Sequence, residues 1–261
     1  MSSPDWLTVT RGDAPLIVSI PHAGTDIPDE FAGDFVSPEI ARNDADWFVD
    51  RLYDFARVLG ATVVSTAISR SVIDVNRDHS GATLYPGQAT TGLCPETTFD
   101  GEPLYREGVA LDVDARLGWF HPYHAALAAE IERLRAIHPA IILYEAHSIR
   151  SRVPRLFDSE LPQFNIGTND GESCEAELAQ AVAAECGPSQ ITNGRFKGGW
   201  TTRHYGRPAD GVHAIQMELA MRGYLDEAGW PPVYDEARAA PMRDTLRRIL
   251  TACIDFAKGR A

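Results

Sequence analysis

Ile141-Ile142-Leu143-Tyr144-Glu145-Ala146-His147 reads as a short buried strand ending on an imidazole, and Leu16-Ile17-Val18-Ser19-Ile20-Pro21-His22 reads the same way. An apolar run of this length suits a strand covered on both faces, as in a parallel sheet. Two strands that each deliver a histidine at the carboxyl end supply two nitrogen ligands for a metal, at the edge where α/β sheets keep their chemistry.

Around these strands the pattern alternates. Phe48, Leu52, Phe55 and Leu59 repeat at helical spacing behind the acidic segment Asn43 to Asp46, which predicts a helix opened by Asp44 and Asp46. Ala61 to Ile68 is a β-branched strand, and Val72 to Val75 is a second short apolar stretch. Arg77 to Asp112 is rich in Gly, Pro and Thr and has neither period, which predicts a lid or substrate-binding loop. A helix starting near Pro122, with Leu127, Ile131 and Leu134 on its buried side, leads into the strand of His147. Asn165 to Asp170 is a strand end entering a turn, and Leu178, Val182 and Cys186 outline a helix. Gly194 to Gly206 is a glycine-rich basic loop, His213 to Leu219 a strand, and Leu246 to Phe256 a closing helix. The alternation predicts an α/β fold, with a mostly parallel sheet covered on both faces, in one domain spanning 1–261.

Composition excludes some partners. A net charge of -13 over 261 residues argues against a surface that tracks nucleic-acid phosphates. The first residues lack a charged lead and an apolar core, and no run approaches the ~18 apolar residues of a membrane span. A soluble, cytoplasmic protein with no membrane partner is expected. Cys94, Cys174, Cys186 and Cys253 form no CxxC pair, so unpaired thiols are expected rather than disulfides or a thiolate zinc site.

A catalytic zinc typically has three protein ligands and one open position, so His22 and His147 call for a carboxylate. Asp26, Asp44, Asp46 and Glu145 are the candidates. Asp46 is the choice made here, although Asp44 and Asp46 would serve equally as helix caps and Glu145 could instead orient an imidazole. Asn76-Arg77 forms a planar fork suited to a substrate carboxylate, unless Arg77 only pairs with Asp74; Arg70 lies at the same end of the sheet. Glu218 closes an apolar strand, where an acid is unfavourable unless paired or employed, and it is positioned to act as a general base. Thr202, Arg203 and His204, with Lys197, Thr201 and Tyr205, sit in the glycine-bounded loop, which either closes over an anionic substrate or is simply exposed.

Taken in order, PLIVSIPHAG, DADWFVDRLYDFARVLGA, SRSVIDVNRD, LYEAHSIRS, FNIGTNDG, NGRFKGGWTTRHYG and HAIQMELA resemble the N-formylglutamate amidohydrolases over nearly the whole chain. That family is in turn similar to the zinc carboxypeptidases. The resemblance implies a three-layer α/β/α sandwich around a mixed, mainly parallel sheet, with a divalent metal ion, zinc, at the strand ends. It implies hydrolysis of N-formyl-L-glutamate to formate and glutamate, in histidine degradation. By the same resemblance, His147-Ser148 is similar to the dipeptide carrying the later zinc ligand of carboxypeptidases, Asn76-Arg77 to their carboxylate-gripping pair, and Glu218 to their general base. Arg70, or Arg203 with His204, would take the second carboxylate or the oxyanion. One departure stands out: carboxypeptidases carry a glutamate ligand three residues after the first histidine, and here that residue is Thr25. Two other readings are an amidohydrolase for a different N-acyl acidic amino acid and a non-catalytic binding module for acidic metabolites.

Overall fold

A computed structural model describes residues 4–82 and 90–260. Its strands are β1 (Leu7–Thr10), β2 (Leu16–Ile20), β3 (Thr62–Thr66), β4 (Ile141–Ile149), β5 (Phe164–Gly167), β6 (Gln190–Thr192), β7 (Val212–Ala220) and a small hairpin, β8 (Leu225–Asp226) with β9 (Val233–Tyr234). Its α-helices are α1 (Asp29–Ala32), α2 (Val49–Leu52), α3 (Val113–Arg135), α4 (Ala176–Glu185), α5 (Trp200–Tyr205) and α6 (Glu236–Lys258). Among the described residues none of these is long and apolar enough to cross a membrane.

The large sheet runs β1-β3-β2-β4-β7-β5-β6. Its centre, β3-β2-β4-β7, is parallel, while β1 and the β5-β6 pair run the other way. All nine residues of β4 and all nine of β7 are buried, which matches strands covered on both faces. Helices lie on both sides of the sheet, giving three α/β/α layers.

Side chains alternate across a strand, so each face can be read by parity. Ile142, Tyr144 and Ala146 of β4 and Ile215, Met217 and Leu219 of β7 pack into one cluster with α2, α4 and α6. Ile141, Leu143, Val212 and Ala214 point to the other face and pack against Leu127, Ile131 and Leu134 of α3. On this second face the apolar residues give way to Glu145, His147, Gln216 and Glu218 toward the strand ends. These polar residues are buried, so their partners must come from the protein or from something it binds.

Several elements differ from the pattern reading. The segment at 48–59 is not one helix: Phe48 sits at φ 59, and α2 is followed by a 3₁₀ turn over Asp54–Leu59. A left-handed phenylalanine costs on the order of 1–3 kcal/mol and persists only where packing enforces it; here Trp47 and Tyr234 flank the ring. Asp44 and Asp46 therefore precede a tight turn and do not open a helix. The helix placed near Pro122 begins at Val113, capped by the Asp112 carboxylate, which accepts from the Ala115 N–H. It runs through Pro122 because it is anchored on both sides. Buried Arg116 donates to the Val72 carbonyl, and the Tyr123 hydroxyl pairs with Ser19 at 2.8 Å. The closing helix starts at Glu236, ten residues earlier than its apolar repeat, capped by Asp235. The glycine-rich basic segment contains α5. Of the irregular stretch from Arg77 to Asp112, residues 83–89 lie outside the described residues, so its reading as a lid is untested there.

Candidate active site

His22 follows β2 by two residues, and Gly24 sits where an added Cβ would come within 2.3 Å of the Ala67 carbonyl carbon. Only glycine allows that approach, which turns the chain sharply and presents His22 at the sheet edge. His147 is not the last residue of its strand: β4 continues to Ile149, and His147 faces Glu218 of β7 in register. The two imidazole rings stand 4.8 Å apart between centroids.

Asp46 completes the cluster. Its backbone N–H donates to the His22 carbonyl at 2.9 Å, and the turn at Phe48 leaves its carboxylate pointing inward. Asp46 Oδ2 lies 3.0 Å from His147 Nδ1 and 3.8 Å from His22 Nδ1, and also accepts the Ser148 N–H. Among the described residues, His22, Asp46 and His147 are the group of potential ligands that could hold a metal ion, their ligand atoms all within 4.8 Å of one another.

The partners around the cluster fit such an ion. Asp74 Oδ1 lies 2.7 Å from His22 Nε2 and is buried beside Arg70 and Arg77. Burial works to raise the Asp74 pKa, but Arg77, His22 and Arg70 outweigh it and hold the carboxyl well below its usual range. An ionised Asp74 can only accept, so the His22 proton sits on Nε2 and the Nδ1 lone pair faces the cluster. Burial, helped by the Arg70 charge, brings the His22 pKa down to about 4 and keeps the ring neutral, as a ligand must be. Both His22 Nδ1 and Asp46 Oδ1 are buried without a hydrogen-bond partner. The buried His22 lone pair is costly unless a cation satisfies it, whereas Asp46 Oδ1 stands 3.5 Å from the Arg70 guanidinium. This set of two imidazoles and one carboxylate, with the carboxylate-to-histidine contact behind it, fits zinc or a similar divalent ion.

Of the remaining carboxylate candidates, Asp44 and Asp26 face other partners, and Glu145 stands beside His147 with Oε1 buried and without a hydrogen-bond partner. Glu145 accepts from the Thr202 hydroxyl at 2.8 Å and stands 3.5 Å from His147 Nε2. Asp44 accepts the Phe99 N–H at 2.6 Å and lies 3.7 Å from Arg150; burial raises its pKa to about 6. Asp26 lines a separate groove beside Trp6 and Trp119.

Next to the cluster is a cavity whose wall includes His22, His147, Glu218, Arg70, Asn76 and Arg77. Glu218 is 7% exposed, so the side chain is nearly shut off from bulk water yet open to the cavity. Burial, with the Asp46 and Glu145 charges nearby, pushes its carboxyl up to about 8 against the pull of His147 and Arg70. Arg70 donates to Asp74 Oδ2 at 2.7 Å and has its other terminal nitrogen 3.5 Å from Asp46 Oδ1. The Asn76 side chain accepts the Thr201 N–H and reaches to 3.1 Å from His147 Nε2. Gly199 is required beside it, since an added Cβ would fall 2.3 Å from Asn76 Nδ2. Arg77 spends three donors on Thr91 and the Asn76 carbonyl and also stands 3.7 Å from Asp74, so the cavity role and the ion pair with Asp74 coexist.

Thr202, Arg203 and His204 are not brought into the cavity wall. Thr202 supports Glu145 from behind, Arg203 donates to the Gly198 carbonyl, and His204 is exposed and stacked on Trp200. Because the glycine-rich segment coils into α5, one side of it turns toward β4 and the other toward solvent. In their place the wall holds Arg155, Arg195 and Phe196, which the sequence reading passed over, together with Gln216, which accepts the Gly199 N–H at 2.6 Å. Asp74 was read only as a partner for Arg77, and its contact with His22 was missed.

The family model described as N-formylglutamate amidohydrolase matches residues 14–225. An N-formylglutamate deformylase of Pseudomonas aeruginosa is 44% identical over 262 residues, covering 97% of this chain and 98% of the relative. One of Pseudomonas putida is 45% identical, covering 97% of both chains. Among solved structures, an N-formylglutamate amidohydrolase from Ralstonia eutropha JMP134 superposes with a TM-score of 0.82 at 26% identity, covering 98% of this chain and 99% of that one.

Proposed function

The chain belongs to the N-formylglutamate amidohydrolase family, and from that membership and the site geometry we propose that it hydrolyses N-formyl-L-glutamate to formate and L-glutamate in a metal-dependent reaction. One observation carries the metal dependence: His22, Asp46 and His147 gather their ligand atoms within 4.8 Å of one another, with His22 Nδ1 buried and unpartnered, beside a glutamate in register with His147.

His22, Asp46 and His147 would hold the ion. When bound, a divalent ion such as zinc supplies Lewis acidity toward the formyl carbonyl and acidifies water toward a pKa of ~7. Glu218 takes a proton from the attacking water as the new carbon–oxygen bond forms. It returns that proton to the nitrogen as the carbon–nitrogen bond breaks, releasing formate and the amine of glutamate. Arg70, fixed by Asp74, faces the charge that develops on the formyl oxygen. Asn76 and Arg77 hold the α-carboxylate as a fork. We place the reaction in histidine degradation, as the sequence resemblance implies, and in the cytoplasm, where four buried free thiols are at home.

The test is formate release from N-formyl-L-glutamate measured against the N-acetyl and N-succinyl analogues. Formylglutamate should be turned over with the highest kcat/KM, because a pocket shaped for the smallest acyl group excludes longer ones. Equal or faster turnover of the acetyl or succinyl compound would shift the assignment to another N-acyl acidic amino acid. No turnover of any of them would favour a binding role.

A further inference from the structure

We propose that Arg155 and Arg195 form a second carboxylate subsite, which takes the side-chain carboxylate of the substrate and makes the enzyme selective for an acidic residue. This rests on the reading of the cavity as the site of amide hydrolysis. A dianionic substrate needs two cationic ends. Arg70 is committed to Asp74 and stands beside Asp46, so it belongs to the reacting end. Arg77 with Asn76 provides one carboxylate fork. Arg155 and Arg195 are the other guanidiniums in the cavity wall, in a chain whose net charge is -13. Positive charge concentrated here against that background marks the cavity for an anion.

The placement follows from the strand. His147 and Ile149 share a face of β4, and two residues advance a strand by roughly 7 Å, so Ile149 lies farther out than the ligand end. The chain then turns, and Arg155 and Leu156 come back over the cavity from the segment after β4. Arg195 and Phe196 arrive from the segment after β6. The two segments are tied together. Arg195 Nε donates to the Leu156 carbonyl at 3.0 Å, and the Phe157 and Phe196 rings meet at 6.3 Å. Arg155 is also moored, donating to the Thr98 carbonyl at 3.3 Å, next to Phe99 in the same wall. Ile149, Leu156 and Phe196 belong to one apolar cluster, and they share the cavity wall with the two arginines. A wall that combines apolar side chains with guanidiniums suits a side chain of methylenes ending in a carboxylate.

Arg155→Gln, Arg195→Gln and the double variant are assayed on N-formyl-L-glutamate and on its neutral isostere, N-formyl-L-glutamine, with thermal melting to verify folding. Each single change should lower kcat/KM for the glutamate compound by about 10- to 100-fold, the loss expected for one charged hydrogen-bond partner, mainly through KM. Turnover of the glutamine compound should barely move, so the wild-type preference collapses. Arg195→Lys, which keeps the charge, should recover part of it. Parallel losses on both substrates, or undiminished activity on N-formylglutamate, would overturn the subsite. If wild type instead prefers another acyl group while its acidic selectivity still depends on these arginines, the acyl assignment fails and the subsite stands.

Discussion

Glu218→Gln should leave the fold and metal content unchanged while kcat for formate release falls by about 10³- to 10⁴-fold. The substitution keeps the size of the side chain and its neighbour Gln216, which donates to Glu218 Oε2 at 3.3 Å. What it removes is the capacity to accept a proton from water and return it to nitrogen. Glu218 has no part in the His22, Asp46 and His147 cluster, so metal affinity should change little. KM should also hold, because the carboxylate forks lie on other residues. A variant that kept more than a tenth of wild-type kcat would remove Glu218 from proton transfer. One that lost its metal along with its activity would give it a ligand role instead.

Asp46→Asn should weaken metal binding by more than ~100-fold, beyond what losing a supporting contact usually costs, and Asp44→Asn should leave it unchanged. The two aspartates are two residues apart and both buried, yet their surroundings differ. Asp46 touches both imidazoles and Ser148, whereas Asp44 holds Phe99 and faces Arg150. Competition against a chromophoric chelator measures the difference directly. If Asp44→Asn or Glu145→Gln lost the ion and Asp46→Asn kept it, the ligand set would have to be redrawn.

Much of this site could be read in the sequence because parallel strands impose a simple geometry. A buried apolar run with a histidine at or near its end gives both the strand and the edge at which the side chain sits, and parity puts Glu145 with His147. Glu218 stands out in the sequence because an acid that closes an apolar strand must be paired or employed, but its register opposite His147 is visible only in the structure. Residues whose positions depend on returning loops were not legible. Arg155 sits in an irregular segment that nothing local ties to the cavity, and Arg195 sits in the glycine-rich loop expected over an anionic substrate, where spacing alone does not say which basic residue faces inward. Helical spacing from Phe48 to Leu59 was misleading for a related reason. The left-handed turn at Phe48 is packed against the neighbouring Trp47 and against Tyr234 from a distant part of the chain, and it follows closely on Asp46. Strand composition carries no sign of direction, so the resemblance implied a mixed sheet without saying that β1, β5 and β6 are the reversed strands.

Amide hydrolysis by this chain should depend on an ion held by His22, Asp46 and His147. Metal content and formate release from N-formyl-L-glutamate, measured on the same purified protein before chelation, after it and after readdition of zinc, test it most directly. About one divalent ion per chain is expected, with loss of turnover on stripping and recovery when zinc returns. A protein that carries no stoichiometric ion, or that releases formate at full rate after stripping, would contradict it.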